Sequence, residues 1–379
     1  MDLFVYGTLR CPELMTAVAG AGRQSAEDAT LDGYAVLPVA GDVVPLIRQT
    51  PGGSANGLLW HQLTAEQIAR LDLYEGAFGY ALIDVSVVCK DGSAHLAKMY
   101  LPPDDIPVGT GNWSLEDWQA GHLHPAMLAA REVFSHHPLP SASQLRENWA
   151  MTERRAWSKY RASQAEPAPA HHRHEPSQGD VALRVDTPPV GSFFRMQSFE
   201  VDHRRFDGAT EKDLRREVAV GVDAALALPY DPRSDNVLLV EQLRMGPLLR
   251  GDTNPWTLEP IAGMIDARET PQCCALRETR EEAGIDVERL IDIGSGYPSP
   301  GNLTDHFYCY LALTSLPDRK TYTGGLTEEA EDLRLHVMGF ETAMNLVKSG
   351  EITALPLVMM LYWLNAERVS LLEFARTSP

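Results

Sequence analysis

The segment of residues 263–285 limits the fold of this chain more than any other. Thr270 can cap a helix N-terminus, and Pro271 suits the first helical turn, where a missing backbone N–H costs nothing. Gly284 can end the same helix, because glycine adopts the left-handed conformation without strain. The segment therefore predicts a helix that begins at Pro271 and stops at Gly284.

Three carboxylates lie close together on this predicted helix. Glu278 and Glu282 are four residues apart and share one face, and Glu281 lies at the edge of that face. Carboxylates so close repel one another unless a cation neutralises them, and hard oxygen ligands select Mg²⁺ or Mn²⁺. Arg277 and Glu269 can hold the carboxylates in place. A solvated, salt-bridged helix face is the plainer alternative, but the fixed spacing of the flanking glycines favours a cation site.

The spacing G-x5-E-x7-R-E-x-x-E-E-x-G resembles the Nudix box, with Thr279 where that family usually has an aliphatic residue. The resemblance implies metal-dependent cleavage of a diphosphate that is joined to another group. Further segments resemble the ADP-ribose pyrophosphatases of the same superfamily, and these imply hydrolysis of ADP-ribose to AMP and ribose 5-phosphate. They are FEVDHRRFDG (199–208), LRREVAVG (214–221), EQLRMGP (241–247), WTLEPIAGMID (256–266), YPSPG (297–301) and TEEAEDLRLHV (327–337).

The same resemblance assigns roles to individual residues. Glu329 is the implied general base, and Glu331 is the alternative because the register of this loop could slip. Glu281, in the box, is a further catalytic candidate. The implied metal ligands, for Mg²⁺ or Mn²⁺, are the Ala262 carbonyl, Glu278, Glu282 and Glu331.

Substrate contacts are implied at two arginines and one loop. Arg216 and Arg244 match arginines that contact ADP-ribose, and a guanidinium suits a diphosphate because it binds in a bidentate manner. Their alternative role is structural, as partners of Glu217 and Glu241. The loop contributes Ser299 and Asp305, but it departs from the family pattern: Asn302 replaces a glycine and Asp305 replaces a glutamate. Another nucleoside diphosphate sugar therefore stays open as the substrate.

The N-terminal sequence resembles a second family. Residues 2–10 (DLFVYGTLR), 71–76 (LDLYEG) and Tyr80 look like the γ-glutamylcyclotransferase fold, which implies a small β-barrel with helices. In that family a loop holds the glutamyl carboxylate through its backbone, and a glutamate matching Glu75 acts as acid and base. The loop residues are Tyr6, Gly7, Thr8 and Leu9. An ordinary turn in an inactive scaffold is the alternative.

Composition sets the class of protein. The 379 residues are 44% hydrophobic, enough for two or three domain cores. A net charge of −19 argues against a nucleic-acid-binding surface. Five cysteines without a CxxC spacing argue against a disulfide framework. No secretory signal pattern opens the sequence, and the apolar stretch 352–364 is too short to span a bilayer. A cytoplasmic protein without a membrane segment is expected.

Residues 162–189 are rich in Pro, Ala, Gln and Ser and predict a linker. We expect a γ-glutamylcyclotransferase-like domain at 1–161 and a Nudix domain at 190–379. The predicted fold is α+β, a β-barrel followed by an α/β/α sandwich with a mixed sheet. In the second domain, strands are predicted at 237–240, 307–313 and 333–340, and helices at 341–348 and 353–364.

Three further expectations rest on the two resemblances. Nudix enzymes of this type pair as homodimers, so a homodimer is expected. The two domains joined in one chain resemble the TrgB-type proteins connected with tellurite resistance. Alternative functions are a γ-glutamylcyclotransferase and a non-catalytic module that senses ADP-ribose, although such modules generally lose the carboxylates of the box.

Overall fold

The computed structural model describes residues 1–20, 22, 25–166, 169–175, 177–326 and 331–377. The chain forms two compact units, Met1–Arg216 and Glu217–Pro379. Within the described residues, no helix is both long enough and apolar enough to cross a membrane.

The first unit contains a closed barrel of five strands in the order β1-β3-β2-β4-β5. β1 and β5 close the barrel as a parallel pair, with Leu3 opposite Lys98. Phe4, Leu59 and Met99 fill its interior and are almost completely buried. The strands are β1 (Leu3–Val5), β2 (Ala26–Pro38), β3 (Pro45–Trp60), β4 (Ala81–Cys89) and β5 (Ala94–Leu101).

Four helices pack beside this barrel and form a second apolar cluster, to which Leu14, Leu71, Trp118 and Leu145 contribute. Two of the helices begin with a capping box, in which a hydroxyl and a glutamine side chain satisfy backbone N–H groups reciprocally. The helices are α1 (Pro12–Ala19), α2 (Ala65–Gly76), α3 (Leu115–Val133) and α4 (Ala142–Gln164).

A separate three-stranded sheet follows in the order β6-β7-β8, formed by β6 (Val181–Val185), β7 (Arg195–Arg204) and β8 (Thr210–Val220). β6 lies inside the segment predicted as a linker, and the last turn of α4 extends into it. The sequence pattern missed β6 because all five of its residues are exposed, so they show no burial periodicity. The predicted domain boundaries stay a prediction.

The second unit is built on an eight-stranded mixed sheet in the order β13-β14-β9-β10-β16-β15, with β11 paired to β10 and β12 paired to β9. The β9–β14 pair is parallel, whereas the other pairs are antiparallel. The strands are β9 (Ala224–Asp231), β10 (Asn236–Leu243), β11 (Trp256–Glu259), β12 (Ile261–Met264), β13 (Arg289–Gly296), β14 (Phe307–Leu313), β15 (Thr321–Gly324) and β16 (Leu333–Gly339).

Helices contribute to an apolar cluster on each face of this sheet. α7 and α8 supply Phe340, Leu357 and Leu361 to one cluster, and α6 supplies Cys274 and Ala275 to the other. The helices are α5 (Met245–Arg250), α6 (Pro271–Ala283), α7 (Phe340–Ser349) and α8 (Leu355–Thr377). This arrangement confirms the predicted sandwich with a mixed sheet, and it confirms the predicted strands and helices of the unit, although α8 continues well beyond residue 364.

Candidate active site

Helix α6 has the termini that its sequence predicts. The Thr270 hydroxyl accepts a hydrogen bond from the Cys273 N–H at 3.2 Å, and Pro271 occupies the first turn. Gly284 ends the helix in the left-handed region, with φ 67° and ψ 29°. The local signals therefore fix both the start and the phase of the helix, and the phase decides which carboxylates face β12.

Gly263 on β12 allows Glu278 to pack directly against the backbone. A Cβ added at position 263 would lie 1.8 Å from Glu278 Oε1 and 2.3 Å from its Cγ. Atoms cannot approach that closely, so any other residue would displace the Glu278 side chain. The glycine of the sequence pattern therefore has a steric cause in the close contact between strand and helix.

Glu282 is the most deeply buried carboxylate of the helix, with 3% of the residue exposed. Its Oε2 has no hydrogen-bond partner among the described residues. Burial raises the pKa of Glu282 to about 9, and the charges of Glu278 and Glu331 act in the same direction. The Ala262 N–H donates to the carboxylate and Arg244 faces it, and both lower this pKa.

The backbone of Glu282 also holds the loop after β15. Its carbonyl accepts a hydrogen bond from the Gly325 N–H at 3.1 Å. A Cβ at Gly324 would lie 2.0 Å from the same carbonyl oxygen, so this approach requires glycine. Beyond the loop, the Leu326 N–H donates to Glu331 Oε2 at 3.1 Å. One residue of α6 thus carries a buried carboxylate and also holds Gly324 and Gly325 through its carbonyl.

Arg277 connects the carboxylates as expected. Its Nε and Nη2 donate to the two oxygens of Glu269, each at 3.0 Å. Its Nη1 donates to Glu278 at 2.7 Å and to Glu281 at 2.9 Å. Ion pairing with these carboxylates raises the pKa of Arg277. One guanidinium therefore orients three glutamates, which is the positioning role that the sequence suggested for the Arg277–Glu269 pair.

These residues fit a divalent cation. Glu282 is deeply buried, has one oxygen without a partner among the described residues, and has a raised pKa. A nearby cation would offset the cost of burying its charge, give that oxygen a partner and lower the pKa. Within the described ranges, no three acidic, His or Cys side chains are arranged to hold a metal by themselves. Two features account for this. The Glu278 carboxylate accepts a hydrogen bond from Arg277, and one of the predicted metal ligands is the main-chain carbonyl of Ala262, which is not a side chain. Glu329, the predicted base, lies outside the described residues.

Arg244 pairs with Glu259 and not with Glu241, the partner that the linear sequence suggests. Its Nε and Nη2 donate to Glu259 at 2.9 and 2.6 Å, so the pair is bidentate. Glu241, the partner considered from the sequence, instead contacts His336 at 2.8 Å and Arg334 at 3.3 Å. The β10–β11 hairpin brings Glu259 close, with Leu243 opposite Trp256. The pairing of Arg244 with Glu259 could have been predicted if residues 236–243 and 256–259 had been recognised as an antiparallel pair of strands.

The other predicted substrate residues lie in different surroundings. Arg216 is exposed on β8 and donates to the Arg215 carbonyl at 2.8 Å. The Ser299 hydroxyl donates to Asn302 Oδ1 at 2.5 Å, so the residue that departs from the family pattern shapes its own loop. Asp305 packs against Gly221, where a Cβ would lie 1.7 Å from its Oδ1. Burial, followed by the charge of Asp223, raises the pKa of Asp305.

In the first unit, Glu75 lies in the last turn of α2, surrounded by tyrosines. Burial, and in second place the charge of Glu75, raises the pKa of Tyr80 to about 12, and the same charge acts on Tyr6, Tyr74 and Tyr100. The predicted Tyr6 and Glu75 are therefore close. The Tyr6 hydroxyl donates to the Tyr100 carbonyl at 3.1 Å. The predicted loop follows Tyr6: Gly7 precedes a single 3₁₀ turn, Thr8–Arg10, in which Leu9 is buried.

We expect the Glu75 carboxyl group to titrate near neutral pH. Burial raises its pKa from 4.5 to about 7. The folded state therefore favours the neutral carboxyl group. The stabilisation by this group is complete below the unfolded pKa of 4.5 and is lost as the pH rises towards the folded pKa of about 7. Carboxyl ¹³C NMR, assigned with Glu75→Gln, measures the midpoint. Relative to wild type, Glu75→Gln should gain stability between about pH 5 and about pH 8. A midpoint close to 4.5 would show that the site is solvated.

The chain matches two family models. Residues 3–120 match the model described as gamma-glutamyl cyclotransferase, AIG2-like. Residues 221–356 match the model described as NUDIX domain. Each match falls within one of the two compact units.

Curated relatives cover the second half of the chain. An ADP-ribose pyrophosphatase of Haemophilus influenzae is 34% identical over 190 residues, 50% of this chain and 87% of the relative. An ADP-ribose pyrophosphatase of Escherichia coli K12 is 36% identical over 196 residues, 51% of this chain and 92% of the relative. A GDP-mannose pyrophosphatase of Escherichia coli SMS-3-5 is 28% identical over 189 residues, 50% of this chain and 97% of the relative.

Proposed function

Because the chain belongs to the Nudix family, we propose that its second unit hydrolyses ADP-ribose to AMP and ribose 5-phosphate. The observation that carries the proposal is the buried carboxylate of Glu282 on the same helix as Glu278. The position of Glu278 depends on Gly263, since an added Cβ there would clash with its side chain. Relatives named ADP-ribose pyrophosphatases are 34–36% identical across this half, more than the GDP-mannose pyrophosphatases at 28–29%. ADP-ribose is therefore the first substrate to test, and a different nucleoside diphosphate sugar is the second.

The proposed cofactor is Mg²⁺, with Mn²⁺ as a substitute. The residues that would hold it are Glu278, Glu282, Glu331 and the Ala262 carbonyl. When bound, such an ion neutralises the diphosphate charge and polarises the phosphorus–oxygen bond. Arg277 would keep the carboxylates oriented, because it already contacts Glu278 and Glu281.

One carboxylate and one arginine of the chain would supply the remaining chemistry. A carboxylate takes a proton from the water that attacks one phosphorus, while the bond between that phosphorus and the bridging oxygen breaks. Glu329 is the proposed base, and Glu331 is the alternative. Glu281 is a further catalytic candidate in the box. Arg244 would bind the diphosphate, since Glu259 fixes its guanidinium while 42% of the side chain stays exposed.

The substrate is tested by a Mg²⁺-dependent screen of ADP-ribose, NADH, GDP-mannose and ADP-glucose, with products identified. We expect ADP-ribose to be cleaved fastest. Glu278→Gln should reduce this rate by roughly 10³-fold, because metal stabilisation contributes several kcal/mol. Glu288→Gln is the matched control, since Glu288 is exposed and pairs with Arg233. Survival of ADP-ribose cleavage in Glu278→Gln would refute the proposal.

A second candidate function is γ-glutamylcyclotransferase activity in the first unit. It is favoured by the match over residues 3–120 and by Glu75, whose pKa of about 7 suits an acid–base group. Here the carboxylate would remove a proton from the α-amine that attacks the side-chain carbonyl, and it would return that proton to the amine that leaves as the γ-glutamyl amide bond breaks. Glu75→Gln should abolish this activity and leave ADP-ribose cleavage unchanged, which separates the two functions.

The proposed domain boundaries are those predicted from the sequence. The first domain covers residues 1–161, a linker covers 162–189, and the Nudix domain covers 190–379.

A homodimer is part of the proposal. Val181, Leu183 and Val185 lie exposed on β6, and an exposed apolar row of this kind is typical of a surface that another chain covers. Light scattering in solution measures the mass, and a fully active monomer would contradict the dimer.

Two further proposals concern the setting of the protein. The five cysteines are all described and all free, which supports a reducing compartment such as the cytoplasm. Fractionation of the cells that make the protein would test this location. The connection of TrgB-type proteins with tellurite resistance stays a proposal without a chemical step. Growth of a deletion strain on tellurite tests it, and unchanged resistance would remove it.

A further inference from the structure

The loop between β13 and β14, residues 297–306, lies along the chain that leads from β8 into β9. The Ala219 N–H donates to the Asn302 carbonyl at 2.8 Å, and the Thr304 N–H donates to the Ala219 carbonyl at 3.1 Å. The Gly221 N–H donates to the Thr304 hydroxyl at 3.0 Å. All of these residues belong to the second unit. Hydrogen bonds to a distant part of the chain therefore hold this loop before β14 begins.

Asp305, near the end of this loop, fills the space beside Gly221. A Cβ added at position 221 would lie 1.7 Å from Asp305 Oδ1 and 2.8 Å from its Cγ. The φ angle of Gly221 lies outside the left-handed region, so the close contact, and not the backbone conformation, excludes a side chain here. The Val222 N–H donates to the Asp305 carboxylate, and Oδ1 of that carboxylate is buried. The Asp305 side chain therefore points into the protein.

The same end of the sheet carries the candidate metal site. Gly263 on β12 lies opposite Ala225 on β9, and Ala225 lies opposite Tyr308 on β14. Neighbouring strands are about 4.8 Å apart, so Tyr308 is about 10 Å from Gly263 across the sheet. Just beyond these pairs, the Asp223 carbonyl accepts a hydrogen bond from the Ile265 N–H at 3.0 Å. The chain just before β9 therefore lies between the loop and the segment that leads into α6.

We propose that Asp305 is a positioning residue, which fixes the loop 297–306 beside the candidate metal site and so sets the affinity for the nucleoside diphosphate sugar. This inference rests on the proposed hydrolysis. Asp305 acts through the loop and does not contact the substrate, because its carboxylate faces Gly221. The family that the sequence resembles usually has glutamate here, with a side chain longer by one methylene. The contact with Gly221 leaves no room for that methylene, so the aspartate and the glycine match each other.

Two substitutions of Asp305 in the full chain test this role through KM and kcat, measured at saturating Mg²⁺ with the sugar that wild type cleaves fastest. Asp305→Asn keeps the shape of the side chain and the acceptor for the Val222 N–H, so its KM should equal that of wild type. Asp305→Glu should displace the loop and raise KM about tenfold, the effect of losing one good hydrogen bond to the substrate. In both variants kcat should stay as in wild type, since the carboxylates of α6 are unchanged.

A carboxylate that contacts the substrate directly would give the opposite pattern. Asp305→Glu would then keep or lower KM, because it restores the residue that the family usually has, and Asp305→Asn would raise KM by removing the charge. That pattern would overturn the inference.

Gly221→Ala tests the matching residue. The added Cβ should displace Asp305 and raise KM as much as Asp305→Glu does. In the double variant Gly221→Ala/Asp305→Ala the clash is absent, so its KM should equal that of Asp305→Ala alone, because substitutions at residues in contact are not additive. Gly296→Ala, where an added Cβ meets no atom within 4 Å, is the control and should keep the wild-type KM. A purely structural role would lower the melting temperature of these variants and leave KM unchanged.

The outcomes separate this inference from the proposed function. If wild type cleaves no nucleoside diphosphate sugar, the proposed function fails, and the inference fails with it. If wild type cleaves one but Asp305→Glu and Gly221→Ala keep the wild-type KM, the inference alone is refuted.

Discussion

Glu282→Gln is expected to lower kcat for ADP-ribose hydrolysis by roughly 10³-fold while the metal-free protein becomes more stable. The loss follows because the amide carries no charge with which to hold a cation that contributes several kcal/mol to the transition state. The gain follows from burial, which raises the pKa of Glu282 to about 9 and leaves its Oε2 without a partner in the described chain. An amide of the same shape removes the penalty of burying a charge.

Initial rates at saturating Mg²⁺ and melting curves in EDTA measure the two effects. Mg²⁺ should raise the melting temperature of wild type, because it binds only the folded state, and this rise should disappear in Glu282→Gln. Glu288→Gln again serves as the control and should behave as wild type in both measurements. If Glu282→Gln kept even a tenth of the wild-type kcat, the buried carboxylate would not be a ligand.

Gly263→Ala is expected to reduce activity nearly as much, although it leaves every charged group in the chain. The added Cβ would lie 1.8 Å from Glu278 Oε1 and 1.9 Å from its Cδ. Since the side chain of Glu278 can move more easily than β12, the carboxylate is displaced from the site and from Arg277. We expect a loss of kcat of roughly 10²-fold to 10³-fold, the range found when a positioned catalytic group is removed.

The matched control is Gly296→Ala on β13, where an added Cβ meets no atom within 4 Å. Circular dichroism and melting curves show whether each variant is folded, and the Mg²⁺ dependence of the rate shows whether metal affinity has changed. A folded Gly263→Ala variant with wild-type kcat and wild-type Mg²⁺ dependence would disprove the steric account.

The predicted parts of the site are those that local sequence encodes. The ends of α6 follow from Thr270, Pro271 and Gly284, and the helical phase then sets Glu278 and Glu282 on one face. Arg277 lies eight residues from Glu269, and the fixed spacing of the box made their pairing predictable. Such contacts within one segment depend on short-range geometry, which residue types and spacing largely determine.

The parts that were not predicted depend on contacts between distant segments. Arg244 pairs with Glu259 because two strands form a hairpin, whereas the linear pattern pointed to Glu241. Arg155 on α4 and Arg195 on β7 both pair with Glu132 on α3, and no sequence motif marks this contact. β6 was missed because its side chains are all exposed. Tertiary structure, and not propensity, determines each of these features.

The contribution of Ala262 to the site has a consequence for how this protein can vary. Its main-chain N–H donates to Glu282, and the proposed ligand at this position is its main-chain carbonyl. Neither group depends on the methyl side chain, so other small residues at this position would preserve the chemistry. The neighbouring Gly263 has the opposite property, since its role is to have no side chain at all. Two adjacent positions of the candidate site thus differ in what they tolerate: the first would keep its role with another small side chain, and the second would lose it with one added carbon.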